Sequence, residues 1–183
     1  MNENQRVQQV LLGNSSAFGY FVEIYQHMAI TIAYRVCGNM QDAEDIVQES
    51  FVKAYRNLHT FRKDSKFSSW FYRIVYNTAI TQTKSQMWIR NSEIDSDNVI
   101  HYKDDNFEDK IASEERVLMI EQVLNHMSKG DALLLTLYYL EDNTVKDVAQ
   151  ITGLNESNVK VRLYRARHLF KEIWLSHFQI TNV

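Results

Sequence analysis

The chain has 183 residues, 45% of them hydrophobic and 23% charged, and its formal net charge is −3. That composition is typical of a globular protein and argues against a disordered chain, and the slight acidity argues weakly against a protein that binds DNA unaided. The absence of proline, with only five glycines and one cysteine, favours an all-helical fold and excludes an intramolecular disulfide, a cysteine-based zinc cluster and the glycine-rich loops that bind nucleotides.

Three long amphipathic helices are predicted in the first half of the chain. Apolar residues recur there at three- and four-residue steps, which is the helical period. The first helix ends at Gly38, the second follows Asn39 as its cap, and the third begins near Ser68. Because each helix has one apolar face, we expect the three to pack into a bundle.

The outer face of the second predicted helix is unusually acidic. Its polar residues are Asp42, Glu44, Asp45, Gln48 and Glu49. Negative charge near a helix N-terminus explains Asp42 and Glu44 well, because it complements the helix dipole. It explains Gln48 and Glu49 less well, so this face is also a candidate surface for a protein partner with basic groups.

Basic and aromatic residues alternate from 60 to 78, where the third helix begins. Exposed aromatic rings and basic groups together can hold unstacked bases and their phosphates, and Asn77 can pair with a base edge. Trp70, Phe71 and Ile74 also fit a hydrophobic core at this spacing. The polar loop from Arg62 to Lys66 is then the better candidate for contact with nucleic acid.

Charge is distributed in blocks along the chain. Residues 60–90 and 145–175 are net basic, whereas residues 91–115 carry nine acidic and two basic side chains. The acidic block also lacks helical periodicity, which predicts a linker. Two basic regions held apart by a linker indicate two contacts with nucleic acid, and they also fit solvated helix faces joined by a charged tether.

The residues from 144 to 165 have the pattern of a helix-turn-helix. Thr144 can cap a short helix, Gly153 permits the turn, and Asn155 can cap the second helix. The second helix is basic, and a helix presented in this way can enter the major groove. A helical hairpin that binds nothing has the same local pattern and is the alternative. The predicted outward residues are Lys160, Val161, Tyr164 and Arg165, flanked by Arg162 and Arg167.

These motifs resemble one family, the extracytoplasmic-function sigma factors of the sigma-70 family. The segments Asp42–Phe51, Phe67–Ile74 and Asn77–Ala79 resemble its region 2, and Val159–Arg167 resembles the recognition helix of its region 4. The resemblance implies an all-α chain with two small helical domains joined by an acidic flexible linker. It places region 2 at residues 1–90, the linker at 91–111 and region 4 at 112–183.

The resemblance also implies a role for particular residues. Core RNA polymerase would be bound by Asp45, Gln48 and Glu49. The −10 promoter element would be read and opened by Arg62, Lys63, Asp64, Ser65, Lys66, Arg73 and Asn77. The −35 element would be read by Lys160, Val161, Arg162, Tyr164 and Arg165.

The implied function is promoter-specific transcription initiation, with no enzymatic activity, no cofactor and no metal. The implied partners are promoter DNA, core polymerase through the clamp helices of its largest subunit and its β flap, and an anti-sigma factor that is often membrane-bound. A stand-alone helix-turn-helix regulator is the alternative, although it leaves residues 40–80 unexplained. The sequence shows neither a signal peptide nor a membrane-spanning run, so we expect a cytoplasmic protein.

Overall fold

The computed structural model describes residues 2–62, 66–83, 114–140 and 143–178. These residues contain no strand, which confirms the all-α prediction. The predicted acidic linker and the loop residues Lys63, Asp64 and Ser65 lie outside the described residues. The helices are α1 (Glu3–Leu11), α2 (Gly19–Cys37), α3 (Met40–Arg56), α4 (Phe67–Gln82), α5 (Glu114–His126), α6 (Lys129–Leu135), α7 (Val145–Thr152) and α8 (Glu156–Phe178). Short 3-10 turns occupy Ser15–Phe18 and Leu58–Thr60, and a π turn occupies Thr136–Leu140.

The boundary between α2 and α3 follows its predicted residues. Gly38 adopts a left-handed conformation with φ +88°, which ends α2 at little cost only because glycine has no Cβ. The side chain of Asn39 accepts a hydrogen bond from the main-chain N–H of Asp42 and so caps α3. The sequence did not lead us to predict α1, which begins with a capping box between Asn2 and Gln5.

Helices α1 to α4 form the N-terminal bundle around an aromatic core. The rings of Phe21 and Phe67 lie 4.1 Å apart between centroids, and those of Phe51 and Phe71 lie 4.4 Å apart. Phe21, Phe67 and Phe71 are almost fully buried, and each buried ring of this size stabilises the fold by about 1.5–3 kcal/mol. Most aromatic residues of the 60–78 segment are therefore core, as one of the two interpretations predicted.

Helices α5 to α8 form the C-terminal bundle, in which α6 packs against α8. Its core is aliphatic and includes the buried residues Leu133, Leu134, Leu137, Val159 and Leu163. The N-terminus of α6 is capped by the Ser128 side chain. The two bundles also contact each other, because α6 packs against α2 and α7 packs against α4.

Candidate functional site

The helix-turn-helix forms as its sequence predicts. Thr144 and Asp147 make a capping box at the start of α7, so two otherwise unpaired N–H groups of the first turn find acceptors. Gly153 ends α7 with φ +76°. The side chain of Asn155 accepts from the N–H of Asn158 at 2.7 Å and caps α8. The two helices are thus fixed at a tight corner, with α8 presented beyond it.

The predicted −35 residues of α8 are not equally accessible. Lys160 and Arg165 are exposed, and Val161 and Tyr164 are half-buried. Arg162 is only 9% exposed. Its guanidinium donates to the Asp131 carboxylate of α6 at 3.3 Å, so it supports the packing of α8 on α6 in this structure.

The acidic face of α3 is open to solvent. Asp45 and Gln48 are exposed, whereas Glu49 is half-buried and forms a salt bridge with Lys53 at 2.6 Å. A hydrogen bond and the charge of Lys53, with a further hydrogen bond from Gln82, lower the pKa of Glu49 despite the opposing effect of burial. In the part of the chain that the structure describes, neither Asp45 nor Gln48 makes a side-chain hydrogen bond or ion pair, which leaves both available to a partner.

Two apolar side chains extend this face of α3. Val52 and Tyr55 are 48% and 44% exposed, and Tyr55 packs edge-on against Phe18. The sequence reasoning missed them as surface residues, although their spacing of four and seven residues after Gln48 places them on the same side of a helix. The face therefore combines carboxylate, amide and apolar groups, which suits a protein partner.

A shallow open pocket between α3 and α4 includes one of the predicted −10 residues, Asn77, and not Arg62, Lys66 or Arg73. Arg62, Lys66, Arg73 and Asn77 are all exposed. Asn77 lines the pocket, whose volume is about 310 Å³.

Lys53, Asn57 and the half-buried Trp70 also line this pocket. An indole ring, two amides and an ammonium group are chemically suited to an unstacked base and its phosphate. Trp70 belongs both to the core, where it packs on Phe61 and Phe67, and to the pocket wall. Its spacing of seven residues from Asn77 is the signal that places both on one side of α4.

The described residues contain neither a metal site of three or more ligands nor a membrane-spanning helix. No group of three or more His, Cys, Asp or Glu side chains that could hold a metal ion is found among the residues that the structure describes. None of the helices in the described ranges is long and apolar enough to span a bilayer.

Comparison with protein families finds two matches in the expected order. A family model for Sigma-70 region 2 matches residues 21–89, and one for Sigma-70 region 4 matches residues 118–168. The first ends just beyond α4, and the second includes the helix-turn-helix.

Several characterised bacterial proteins are similar over most of their length. The ECF RNA polymerase sigma factor SigW of Bacillus subtilis is 28% identical over 182 residues, covering 92% of this chain and 94% of its own. The RNA polymerase sigma-H factor of Pseudomonas aeruginosa is 30% identical over 177 residues, covering 90% of each chain. The ECF RNA polymerase sigma-E factor of Escherichia coli is 30% identical over 173 residues, covering 88% of each.

Two solved structures share the fold. CnrH, in complex with the cytosolic domain of CnrY, has a TM-score of 0.64 at 22% identity and covers 94% of this chain and 96% of its own. The sigma factor RpoE of Bartonella quintana, in complex with the anti-sigma factor NepR, has a TM-score of 0.61 at 20% identity and covers 85% and 95%.

Proposed function

Because the chain belongs to the extracytoplasmic-function group of the sigma-70 family, we propose that its two bundles divide the work of transcription initiation. The chain is a sigma factor, not a stand-alone regulator, and sigma factors are not enzymes. In this proposal residues 1–90 bind core polymerase and the −10 element, and residues 112–183 bind the −35 element. Residues 91–111 are the linker.

The proposed docking site for core polymerase is the open face of α3. Asp45 and Gln48 are exposed, and the half-buried Glu49 follows them in α3 and forms a salt bridge with Lys53. Val52 and Tyr55 supply apolar contact beside these polar groups. Interfaces are strongest where apolar anchors are surrounded by complementary charge. The proposed partner surface is therefore basic and partly apolar, and we assign it to the clamp helices of the largest subunit.

The proposed −10 site is the pocket between α3 and α4 with the loop above it. Asn77 and Trp70 would hold an unstacked base by hydrogen bonding and ring contact, because both line the pocket. The remaining residues would hold phosphates or frame the opened strand. They are Arg62, Lys63, Asp64, Ser65, Lys66 and Arg73.

The proposed −35 site is the exposed side of α8. Lys160 and Arg165 project into solvent and can reach phosphates or guanine edges. Val161 and Tyr164 border them. Arg162 remains a proposed contact, but its guanidinium would first have to leave Asp131. The C-terminal bundle would also dock on the β flap of the polymerase.

A regulatory partner is part of the proposal. Both similar structures are complexes with a second protein, and one of them is a sigma factor in complex with an anti-sigma factor. We therefore assign an anti-sigma partner to this chain and place its action in the cytoplasm, where promoter DNA is found. Addition of that partner would suppress the transcription described below.

One observation carries the proposal: the exposed acidic face of α3 and the capped helix-turn-helix of α7 and α8 occur in one chain, in the order of regions 2 and 4. The test is run-off transcription from genomic fragments with purified core polymerase, with and without this chain. We expect discrete transcripts only when both are present. Specific DNA binding by the chain alone, with no transcripts, would contradict the proposal.

Two variants separate the assigned roles. Asp45→Ala with Gln48→Ala should weaken assembly with core and leave contact with the −35 element intact. Arg165→Ala should weaken binding to the −35 element and leave assembly intact. Lys171→Ala is the matched control for Arg165→Ala, because Lys171 is an exposed cation of the same helix outside the assigned residues. Unchanged assembly of the α3 variant would refute the docking site.

A further inference from the structure

Two histidine rings meet where α5 and α8 end. His126 is the last residue of α5, and His177 is the last but one of α8. Their ring centres lie 4.4 Å apart, and the ring planes are inclined at 58°. Both residues are exposed, so an ion from solvent can reach the pair. Because α5 packs against α8 within the C-terminal bundle, a ligand shared by the two rings would join these helices.

The ring of His126 is oriented by its own helix. Its Nδ1 lies 2.7 Å from the main-chain oxygen of Gln122, one turn earlier in α5. Because a carbonyl oxygen only accepts, Nδ1 is the donor, and Nε2 of the neutral ring keeps its lone pair. Histidines that bind metal ions usually donate their second ring N–H in this way, which fixes the ring and makes the other nitrogen a better ligand. His126 therefore has the tautomer of a metal ligand.

The separation of the two rings suits one shared metal ion. A bond of about 2.0–2.1 Å from metal to ring nitrogen places the ion about 3.2 Å from the ring centre. Rings whose centres are 4.4 Å apart can therefore bind the same ion with about 90° between the two bonds. Neighbouring ligands stand at that angle in the square-planar and tetragonal coordination of Cu²⁺.

The position of the pair also favours positive charge. His126 lies in the last turn of α5 and His177 in the last turn of α8. The last carbonyl groups of a helix lack partners within it and carry the negative end of its dipole. A divalent cation bound by both rings is thus attracted by two helix ends. Imidazole is a preferred ligand of Cu²⁺ and Zn²⁺, whereas Mg²⁺ and Ca²⁺ prefer oxygen.

We propose that His126 and His177 form a two-imidazole site for a divalent transition-metal ion, which ties the end of α8 to α5. Water completes the coordination, because no group of three His, Cys, Asp or Glu side chains that could hold a metal ion occurs among the described residues. The inference does not depend on the proposed function. Lys160 lies about 25 Å from His177 along α8, so a bound ion leaves the proposed −35 site open.

The test uses Cu²⁺ alone as the probe, with the full chain. A Cys37→Ser background removes the single thiol, which would otherwise bind copper. Calorimetric titration gives the affinity, and electron paramagnetic resonance counts the imidazole nitrogens bound to Cu²⁺. The variants are His126→Asn and His177→Asn. His168→Asn is the matched control, because His168 is an exposed histidine of the same helix α8. Circular dichroism checks that each variant is folded.

We expect one Cu²⁺ with two imidazole nitrogens in the parent chain and in the control. Either histidine variant should bind Cu²⁺ at least tenfold more weakly and show one nitrogen at most, and Mg²⁺ should not bind. Cu²⁺ at 100 times its dissociation constant should raise the ratio of folded to unfolded chain about 100-fold in urea unfolding. A chelator should reverse this effect, and both histidine variants should lack it.

Two results would overturn the inference. One is a His126→Asn or His177→Asn variant that binds Cu²⁺ with the affinity of the His168→Asn control. The other is a parent chain whose resonance spectrum shows fewer than two imidazole nitrogens on the bound ion. Either result would reduce the pair to a contact between two rings.

Discussion

The buried position of Arg162 gives a direct test of how α8 is used. Arg162→Ala removes the guanidinium that donates to Asp131 at 3.3 Å. The side chain of Asp131 is 27% exposed and keeps a hydrogen bond from Ser128, so the substitution does not leave its carboxylate buried without a partner. The decrease in the free energy of unfolding should therefore be close to the contribution of one hydrogen bond to a charged group, about 2 kcal/mol.

The assay is urea unfolding followed by circular dichroism, with duplex binding to the −35 element measured in the polymerase complex. Arg162→Ala should lower the free energy of unfolding by about 2 kcal/mol. Arg165→Ala, at an exposed position, should change it by less than about 0.5 kcal/mol and weaken duplex binding by about 1–3 kcal/mol. If Arg162→Ala leaves unfolding unchanged but weakens duplex binding, the guanidinium serves DNA and the reasoning is wrong.

Three further predictions concern the fold. Gly153→Ala should destabilise the chain by about 1–2 kcal/mol in urea unfolding, since φ is +76° and no atom would meet the new Cβ, whereas Gly19→Ala in α2 should not. Burial opposes the charge of Asp147, but hydrogen bonds from Thr144 and Ser69 and the charge of Lys66 lower its pKa. The contribution of the Asp147 carboxylate to the free energy of unfolding should thus be full above about pH 4 and be lost as the pH falls through the lowered pKa. Asp147→Asn should reduce this dependence on pH when unfolding is measured over a series of acidic pH values. Phe71→Ala should lower the free energy of unfolding by about 3–5 kcal/mol, whereas Val52→Ala, at an exposed position, should lower it by less than about 0.5 kcal/mol. Equal urea midpoints for the two variants would contradict the assignment of Phe71 to the core.

Local structure was predictable wherever a residue acts on its own neighbours in sequence. Gly38, Asn39, Thr144 and Gly153 each set a helix end through their own conformation or side chain. Helical spacing also predicted that Lys160 and Arg165 lie on the outer side of α8, where both are exposed. The burial of Arg162 had a signal too, because it follows Val159 by three residues on the same side of α8, but its charge suggested DNA instead.

Other features depend on residues distant in sequence and could not be predicted from local patterns. The sequence marks Arg35 only as a cation near the end of a helix. Its burial depends on Glu121 and Asn125, which lie more than eighty positions later. The pocket between α3 and α4 likewise needs Lys53 and Asn77 to be brought together by packing. The roles assigned to the site residues stay predictions.

The glycine that ends α2 has a consequence for sequence evolution as well as for folding. A Cβ at Gly38 would lie 2.6 Å from the ammonium nitrogen of Lys129. Substitution there disturbs the backbone and displaces the lysine, so its effect depends on which residue occupies position 129. A chain that has already lost Lys129 has less to lose at Gly38. Positions 38 and 129 are therefore expected to show epistasis, because the effect of a substitution at one depends on which residue already occupies the other.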